Sequence, residues 1–481
     1  MSIEKNGLKS GLKWNSLAQI INQASVFIAG IVLMKLLEPQ DFGLVAIVSV
    51  FLGLAQLLTT SGITSSLINN KEVGKIDYDN LFSFSFCLGL FFSVVFYSLS
   101  NYLSVFFEDP RLENLFQIAA LALLVSPLGS IPSSILKRKL EFKVLAIINM
   151  CSTFTALFIA IYMAMNDYGY YSLIAQKLVY ILLNVILLFF AARYWPSIKL
   201  NYVILKKHLS FGIPVLGSKV VNYSIGNIDN FLIGKFMTPI SLGYYSRAFS
   251  LVTIPSTRIG MVINSTLFPV FSNMKNKGLN INKTVLNLYE IILYALFLLS
   301  LLYIINAKAF VDIISPDGKW DSIIPIIKIL AIIAIAKPIT RFYSSILLSL
   351  GLSKKVFNIE ILGGILIVIG YVFGVFIDLI WFSYIYAINI VLFLIYYSIV
   401  FSNTLKLAKF QLLHLVKYKI LSFLIILLFN RFTFNNIKFT NAYVEFSLGV
   451  LLVIASWFFL NFIFERKTTK LILSSVKSMK K

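Results

Sequence analysis

Charged residues are scarce in this 481-residue chain, at 13% of the sequence. A soluble domain carries about 25%, so roughly half of the usual charge is missing. Hydrophobic residues make up 59%, and the mean hydropathy is +0.87. This composition excludes a soluble enzyme and a nucleic-acid binder, in spite of the net charge of +22. It predicts an all-α membrane protein that crosses the bilayer many times.

Histidine and cysteine are also scarce. Cys87 and Cys151 lie inside apolar runs, and His208 and His414 lie in separate basic segments. This distribution argues against a disulfide framework and against a metal site built from Cys or His, and we expect no cofactor. The sequence contains no Walker loop, nucleophile elbow or HExxH motif, so we expect no enzyme activity.

Fourteen apolar windows approach or exceed the roughly 20 residues that a helix needs to cross a bilayer. They lie at 14–36, 44–68, 81–106, 115–136, 144–165, 170–192, 209–234, 248–271, 284–306, 322–349, 356–377, 380–402, 411–430 and 443–464. With the N-terminus in the cytoplasm, the cytoplasmic segments hold 28 of the 42 Lys and Arg residues and the outer loops hold eight. The positive-inside rule then predicts that both termini are cytoplasmic.

A pattern of Lys-x3-Pro-x3-Gly occurs twice, 200 residues apart, after the first and the seventh predicted span. The two copies are Lys35-Leu-Leu-Glu-Pro39-Gln-Asp-Phe-Gly43 and Lys235-Phe-Met-Thr-Pro239-Ile-Ser-Leu-Gly243. Because six spans separate them, both halves enter the membrane from the same side. We expect two pseudo-symmetric six-helix lobes, 1–200 and 201–405, followed by two further helices and a basic tail in 406–481.

Predicted span 7 carries a polar stripe at helical spacing. Its members are Lys219, Asn222, Gly226 and Asn230, with Asp229 on the margin. Predicted span 1 carries a matching stripe that includes Gln19 and Asn22. A polar cavity and hydrogen bonding between helices account equally well for the stripe in span 1, whereas Lys219, about ten residues deep, favours a cavity.

Two further spans place cations near mid-membrane. Arg258 lies midway along span 8, and Lys337 and Arg341 lie one turn apart on span 10. Like charges on one helix face repel each other and are expensive in the bilayer. A bound anion would neutralise Lys337 and Arg341. In the alternative interpretation, both side chains snorkel or pair with Asp229.

Other polar residues are interpreted without a functional role. Lys177 is near a span end, where snorkelling or interfacial placement explains it. The basic run 137–139 is most simply a topology determinant that contacts anionic lipid. Asp77 and Asp79 form a pair of the kind that can hold a metal, but we interpret them as part of a solvated cytoplasmic loop.

Several strings, together with the fourteen-span layout, carry a family resemblance over most of the chain. They are Leu37-Glu-Pro-Gln-Asp41-Phe-Gly43, Ser61-Gly-Ile63, Arg138-Lys-Leu-Glu-Phe142, Gly243-Tyr-Tyr-Ser-Arg247-Ala and Phe268-Pro269. The chain resembles the polysaccharide transporter (Wzx-type) flippases of the colanic-acid and O-antigen branch, within the MATE-like MOP superfamily.

The resemblance implies a MATE/MOP-like two-lobed bundle with a central cavity. It implies alternating-access transport of undecaprenyl-pyrophosphate-linked oligosaccharide repeat units across the bacterial inner membrane, for O-antigen, capsule or exopolysaccharide. Cavity cations would hold the pyrophosphate; here these are Lys219, Arg258, Lys337 and Arg341. We expect the polar faces with Gln19, Asn22, Asn222 and Asn230 to accompany the sugar. Asp229 is a candidate cation-coupling residue, and membrane lipids, the polysaccharide polymerase and other assembly proteins are candidate partners.

Two alternatives remain open. A multidrug or cation antiporter of the same superfamily would be expected to carry acidic residues within the membrane, whereas this set is basic. A membrane polysaccharide polymerase or ligase would be expected to have a sizeable outer loop, and the longest one predicted here, around 307–321, has only about 15 residues.

Overall fold

The computed structural model of the chain describes residues 2–70, 72–408, 411–433 and 441–464, without the side chains of 2–18, 61, 257–269 and 432–433. These residues form helices and short connections, and no strand occurs among them. The helices are α1 Ser2–Leu36, α2 Pro39–Asn69, α3 Lys75–Phe106, α4 Arg111–Val125, α5 Ser130–Arg138, α6 Phe142–Met165, α7 Tyr170–Ala192, α8 Tyr202–Phe236, α9 Pro239–Asn276, α10 Asn282–Ile314, α11 Ile323–Leu330, α12 Ile333–Ser349, α13 Ser353–Gly374, α14 Leu379–Thr404, α15 Gln411–Thr433 and α16 Ala442–Phe464.

Each predicted span coincides with helix. The fourth is divided into α4 and α5 by a 3-10 turn at Ser126–Gly129, where Pro127 has no N–H to donate. The tenth is divided into α11 and α12. In the described part of the chain, twelve helices are long and apolar enough to cross a membrane. The all-helical membrane fold is therefore confirmed, while the count of fourteen spans stays a prediction.

The chain divides into two compact units, Met1–Gly243 and Tyr244–Lys481. The predicted boundaries at 200 and 405 stay predictions. Unit 1 contains α1 to α8 together with the first residues of α9. Unit 2 contains the rest of α9 and α10 to α16.

Within unit 1, α2 and α8 pack against each other along their length in an antiparallel sense. Gly62 meets Gly212 near one end of the pair, and Gly53 meets Tyr223 further along. A Cβ at Gly62 would lie 3.1 Å from the Gly212 carbonyl oxygen, and a Cβ at Gly212 would lie 2.8 Å from the Gly62 carbonyl oxygen. Small residues thus let the two backbones approach more closely than larger side chains would allow.

The repeated Lys-x3-Pro-x3-Gly pattern begins a helix in both copies. Pro39 is at the first position of α2, and the Asp41 carboxylate accepts a hydrogen bond from the Glu38 N–H at 3.0 Å. Pro239 is at the first position of α9, and there the Thr238 hydroxyl accepts a hydrogen bond from the Ser241 N–H at 3.1 Å. The two helices therefore start at equivalent positions of the repeat, but different side chains cap them.

The two copies also contact each other reciprocally inside unit 1. A Cβ at Gly43 would overlap the carbonyl group of Pro239, and a Cβ at Gly243 would overlap the carbonyl group of Pro39. Equivalent residues of the two copies of the pattern therefore contact each other. The two-half repeat stays a prediction.

Hydrogen bonds hold the connection between α7 and α8 against the first turns of α3. Asp79 is 2% exposed, and its carboxylate accepts hydrogen bonds from the Tyr194 hydroxyl at 2.9 Å and the Ser197 N–H at 3.3 Å. Burial and the adjacent Asp79 carboxylate raise the pKa of Tyr194, so the phenol keeps the proton that it donates. Asn80 accepts a hydrogen bond from the Asn201 N–H at 2.5 Å. The expected solvated loop at Asp77 and Asp79 is therefore wrong, because these residues begin a helix that packs against the connection.

We predict that Gly43→Ala and Gly243→Ala each lower the thermal stability of the purified protein. The added methyl group must displace a backbone carbonyl, and overpacking of this kind costs about 1–3 kcal/mol. Gly30→Ala is the matched control, because no described atom outside its own helical segment lies within 4 Å of a Cβ at that position. Thermal unfolding in detergent measures the difference, and equal melting temperatures for Gly43→Ala and Gly30→Ala would contradict the contact.

Candidate functional site

The contact with α2 sets which face of α8 is covered. The Tyr223 hydroxyl donates to the backbone carbonyls of Ser49 and Val50, at 3.1 Å each. Lys219, one turn before Tyr223, and Asn222 are both exposed. Lys219 is therefore on the side of α8 that faces α2, and its side chain stays accessible.

Lys219 reaches across to α2. Its ammonium donates to the Ser65 hydroxyl at 3.4 Å, and it lies near enough to the Lys137 ammonium for the two to interact electrostatically. Ser65 is in the last two turns of α2, and Lys137 is in the last turn of α5. Three helices thus bring two cations and a hydroxyl group together, and we call Ser65, Lys137 and Lys219 the basic cluster.

The basic cluster is suited to a multiply charged anion. Two ammonium groups repel each other when they are close and partly desolvated, and an anion between them removes this repulsion. Each ammonium has three N–H donors for the oxygens of a phosphate or diphosphate group, and charge-assisted hydrogen bonds of this type are the strong ones.

Beside the basic cluster, His208 joins the start of α8 to α2 and α3. Its side chain is 1% exposed, with Nδ1 2.8 Å from the Ser66 hydroxyl and Nε2 3.2 Å from an Asp77 carboxylate oxygen. The Asn70 amide lies 3.3 Å from the same Nδ1. Among the residues that the structure describes, no group of three His, Cys, Asp or Glu side chains could hold a metal ion.

The remaining predicted residues of α8 lie further along the helix. Asp229 is 2% exposed, and its carboxylate accepts a hydrogen bond from the Asn230 N–H at 2.8 Å. The Asn230 side-chain oxygen is buried and accepts no hydrogen bond from any residue that the structure describes. Asn222 donates to the Ser218 carbonyl at 2.7 Å. The coupling role of Asp229 stays a prediction.

The predicted residues of α1 differ from each other. Gln19 is exposed, whereas Asn22 is half-buried and lines a cavity inside unit 1. The Asn22 side-chain oxygen is buried and has no hydrogen-bond partner within the described part of the protein.

The cations predicted on spans 8 and 10 belong to unit 2 and are described within it. The Lys337 ammonium lies 4.3 Å from the centroid of the Phe249 ring and 5.8 Å from that of Tyr386, which is cation–π geometry. Arg341, one turn further along α12, is exposed. The Arg258 side chain lies outside the described residues. The roles assigned to these three residues stay predictions.

Sequence reasoning missed two of the cations that the structure places at polar sites. From the sequence we interpret Lys137 as part of a topology determinant that contacts anionic lipid, and no pattern near it indicates that it approaches Lys219. For Lys177 we expect snorkelling or interfacial placement, and the structure shows that its ammonium donates to the Ser49 hydroxyl of α2. For Lys177, the sequence shows only a lysine two turns inside an apolar helix. Its polar contact could not be predicted, because the residue that it contacts comes from another helix.

The sequence and the fold were compared with known proteins. Residues 32–325 match the polysaccharide biosynthesis protein family. The chain is 27% identical over 370 residues to the teichuronic acid biosynthesis protein TuaB of Bacillus subtilis (strain 168), covering 76% of this chain and 75% of that one. It is 23% identical over 351 residues to the lipopolysaccharide biosynthesis protein WzxC of Escherichia coli (strain K12), covering 71% and 69%.

Among solved structures, the lipid II flippase MurJ in an inward closed conformation matches with a TM-score of 0.74 and 14% identity, over 94% of this chain and 98% of that chain. At this identity the likeness establishes the fold, which is the MATE/MOP-like helical fold expected from the sequence. Because the family match spans more than half of its length, the chain belongs to the polysaccharide biosynthesis protein family. The resemblance to this group of membrane proteins is confirmed.

We predict that inorganic pyrophosphate binds the purified protein and that Lys219→Met and Lys137→Met each weaken binding about tenfold, the effect of losing a hydrogen bond to a charged group. Binding should also weaken as salt is added, because the cluster is partly exposed. Lys206→Met is the control, since Lys206 is an exposed lysine in the first turns of the same helix. Calorimetric titration measures the affinities, and equal losses in all three variants would remove the basic cluster from consideration.

Proposed function

We propose that the chain is a flippase that moves undecaprenyl-pyrophosphate-linked oligosaccharide repeat units across the bacterial inner membrane for surface polysaccharide biosynthesis. The observation that carries the proposal is that Lys219 reaches the Ser65 hydroxyl and interacts electrostatically with Lys137. The names of the relatives support it, since they are biosynthesis proteins of two bacterial surface polymers and a flippase of a lipid-linked substrate.

The basic cluster would bind the diphosphate by charge-assisted hydrogen bonds. It lies where α2 and α5 end, and these ends face the cytoplasm if both chain termini are cytoplasmic. The diphosphate of a lipid-linked substrate is at headgroup level in the leaflet where it is made, so a cluster at this end is positioned for its capture. The lipid tail would stay in the bilayer while the sugar enters the protein.

Alternating access between the two predicted lobes would then carry the headgroup to the other side. Arg258, Lys337 and Arg341 are proposed as further contacts for the diphosphate, and Asp229 as the residue that couples transport to a cation. Gln19, Asn22, Asn222 and Asn230 would exchange hydrogen bonds with sugar hydroxyls. This activity needs no bond to be made or broken, so the chain would act as a transporter rather than an enzyme. The polymerase and other assembly proteins are proposed partners.

The two alternatives fit the described residues less well. A transporter of cationic drugs needs acidic groups where this chain has the basic cluster. A polymerase needs room for an active site outside the membrane, and only eight residues, 315–322, separate α10 from α11.

We predict that Lys219→Ala and Arg258→Ala abolish export of the polymer at normal protein levels, because each removes a cation that the diphosphate needs. The variants are expressed in a strain that lacks the gene, and lipid-linked intermediates and surface polysaccharide are assayed together. Lys206→Ala is the control for a lost exposed lysine.

The expected result is that intact lipid-linked repeat units accumulate on the cytoplasmic side while surface polymer disappears. Unchanged export in Lys219→Ala would remove the basic cluster from the mechanism. Single repeat units that reach the surface without being polymerised would show that flipping is intact, and would favour the polymerase alternative.

A further inference from the structure

Unit 1 contains a partly enclosed cavity that is separate from the basic cluster. Its volume is about 430 Å³, and it lies between α1, α2, α6 and α7. Ligand-binding pockets in proteins usually have volumes of about 300–1,000 Å³, so the cavity is large enough for a small ligand. All four helices have segments that are long and apolar enough to cross a membrane, so the cavity is enclosed by membrane-spanning segments.

Two glutamine side chains in the wall make no hydrogen bond with any residue that the structure describes. Gln56 is near the middle of α2, and Gln176 is in the second turn of α7. Both are half-buried, and their amide atoms keep accessible surface. An amide inside an apolar helix is expensive unless its polar atoms are paired. Each of these amides offers two N–H donors and a carbonyl acceptor to an occupant of the cavity.

Hydroxyl groups of α6 and α7 extend the polar part of the wall. Thr153 lines the cavity from α6, and its hydroxyl makes no hydrogen bond within the described part of the chain. Tyr180 lines the cavity from α7, and its hydroxyl donates to the Asn149 side-chain oxygen at 3.4 Å. The phenol oxygen therefore remains able to accept a hydrogen bond. Apolar side chains complete the wall.

The charges of the wall favour an uncharged ligand. Lys177 is the one ammonium among the lining residues, and it already interacts within the protein, in part through its hydrogen bond to the Ser49 hydroxyl. Neither Asp nor Glu occurs among the residues described as lining the cavity. A charged ligand would therefore lose its hydration without gaining a counter-ion of its own. Hydroxyl groups avoid this cost, and they both donate and accept, as the glutamine amides do.

We propose that the cavity binds an uncharged sugar ring of the repeat unit, with ring hydroxyls hydrogen-bonded to the Gln56 and Gln176 amides and to the Thr153 hydroxyl. The inference rests on the proposed function and names a part of its substrate, an uncharged sugar. The C–H groups of a sugar ring would pack on the apolar side chains of the wall. A wholly apolar ligand, such as a lipid chain, would leave the amides unpaired.

The cavity and the basic cluster are on opposite faces of α2. Gln56 lines the cavity and Ser65 belongs to the cluster, and these residues are nine positions apart. Nine residues are about two and a half turns of an α-helix, which rotates the second side chain to the far face. The two sites would therefore contact different parts of the substrate, and free sugar and free diphosphate can be titrated separately.

Calorimetric titration of the full-length protein, in a detergent without a sugar headgroup, tests the proposal. The probes are the uncharged methyl glycosides of glucose, galactose, mannose and N-acetylglucosamine, with D-glucuronate and D-glucosamine as charged probes. We expect at least one methyl glycoside to bind, and to bind more tightly than either charged probe. Gln56→Leu and Gln176→Leu should each weaken its binding about three- to tenfold, the effect of one lost hydrogen bond between neutral groups.

Gln117→Leu is the matched control, since Gln117 is a half-buried glutamine of α4 outside this cavity. Three results would overturn the assignment: no methyl glycoside binds, a charged probe binds as tightly as the best glycoside, or the affinity falls no further in the two glutamine variants than in the control. If a leucine variant fails to fold, Thr153→Val decides, because it removes a proposed hydroxyl contact with little change of shape. Glycoside binding as tight as that of the wild type would then overturn the assignment.

Inorganic pyrophosphate is titrated into the same preparations to keep the two proposals apart. Absence of glycoside binding with pyrophosphate binding intact contradicts only the sugar assignment. Absence of pyrophosphate binding from the wild type contradicts the diphosphate site, whatever the glycosides do.

Discussion

The close antiparallel contact between α2 and α8 is the constraint on which the rest of unit 1 depends. Gly62 and Gly212 allow the two backbones to touch, and any side chain at either position would force the helices apart. At this distance the Lys219 ammonium reaches Ser65, and the buried His208 ring lies between α2 and α3. Without the contact, the polar groups of α8 would have no fixed neighbours.

The environments of three lysines show how differently one cation can be accommodated in an apolar protein. Lys219 is near a second ammonium, which favours a multiply charged anion. Lys177 lies among amide and hydroxyl side chains at a cavity of unit 1 and donates a hydrogen bond to the Ser49 hydroxyl. Lys337 lies over aromatic rings, whose negative faces stabilise it without an anion. Only the surroundings distinguish the three.

Much of the fold could be predicted because it depends on local patterns. Apolar windows located the helices, and the spacing of Lys219 and Asn222 placed both on one exposed face. The repeated Pro and Gly positions indicated equivalent points of an internal repeat, although the helix starts at Pro39 and Pro239 were not predicted. The role of Asp79 could not be predicted, because its partners Tyr194 and Ser197 come from a connection more than a hundred residues away. An acidic pair at a helix start has the same sequence signal whether water or protein surrounds it.

The sequence by itself determined that the chain is a helical membrane protein with basic residues inside its apolar segments, because hydropathy and charge are properties of single residues and short windows. Only the tertiary structure decided which of those residues meet. Ser65 and Lys219 are 154 positions apart, and the Lys177 ammonium reaches Ser49 from a different helix. Such pairings depend on the distance and rotation between packed helices. Many side chains together set both quantities, so the sequence around the pairing residues does not indicate which residues meet.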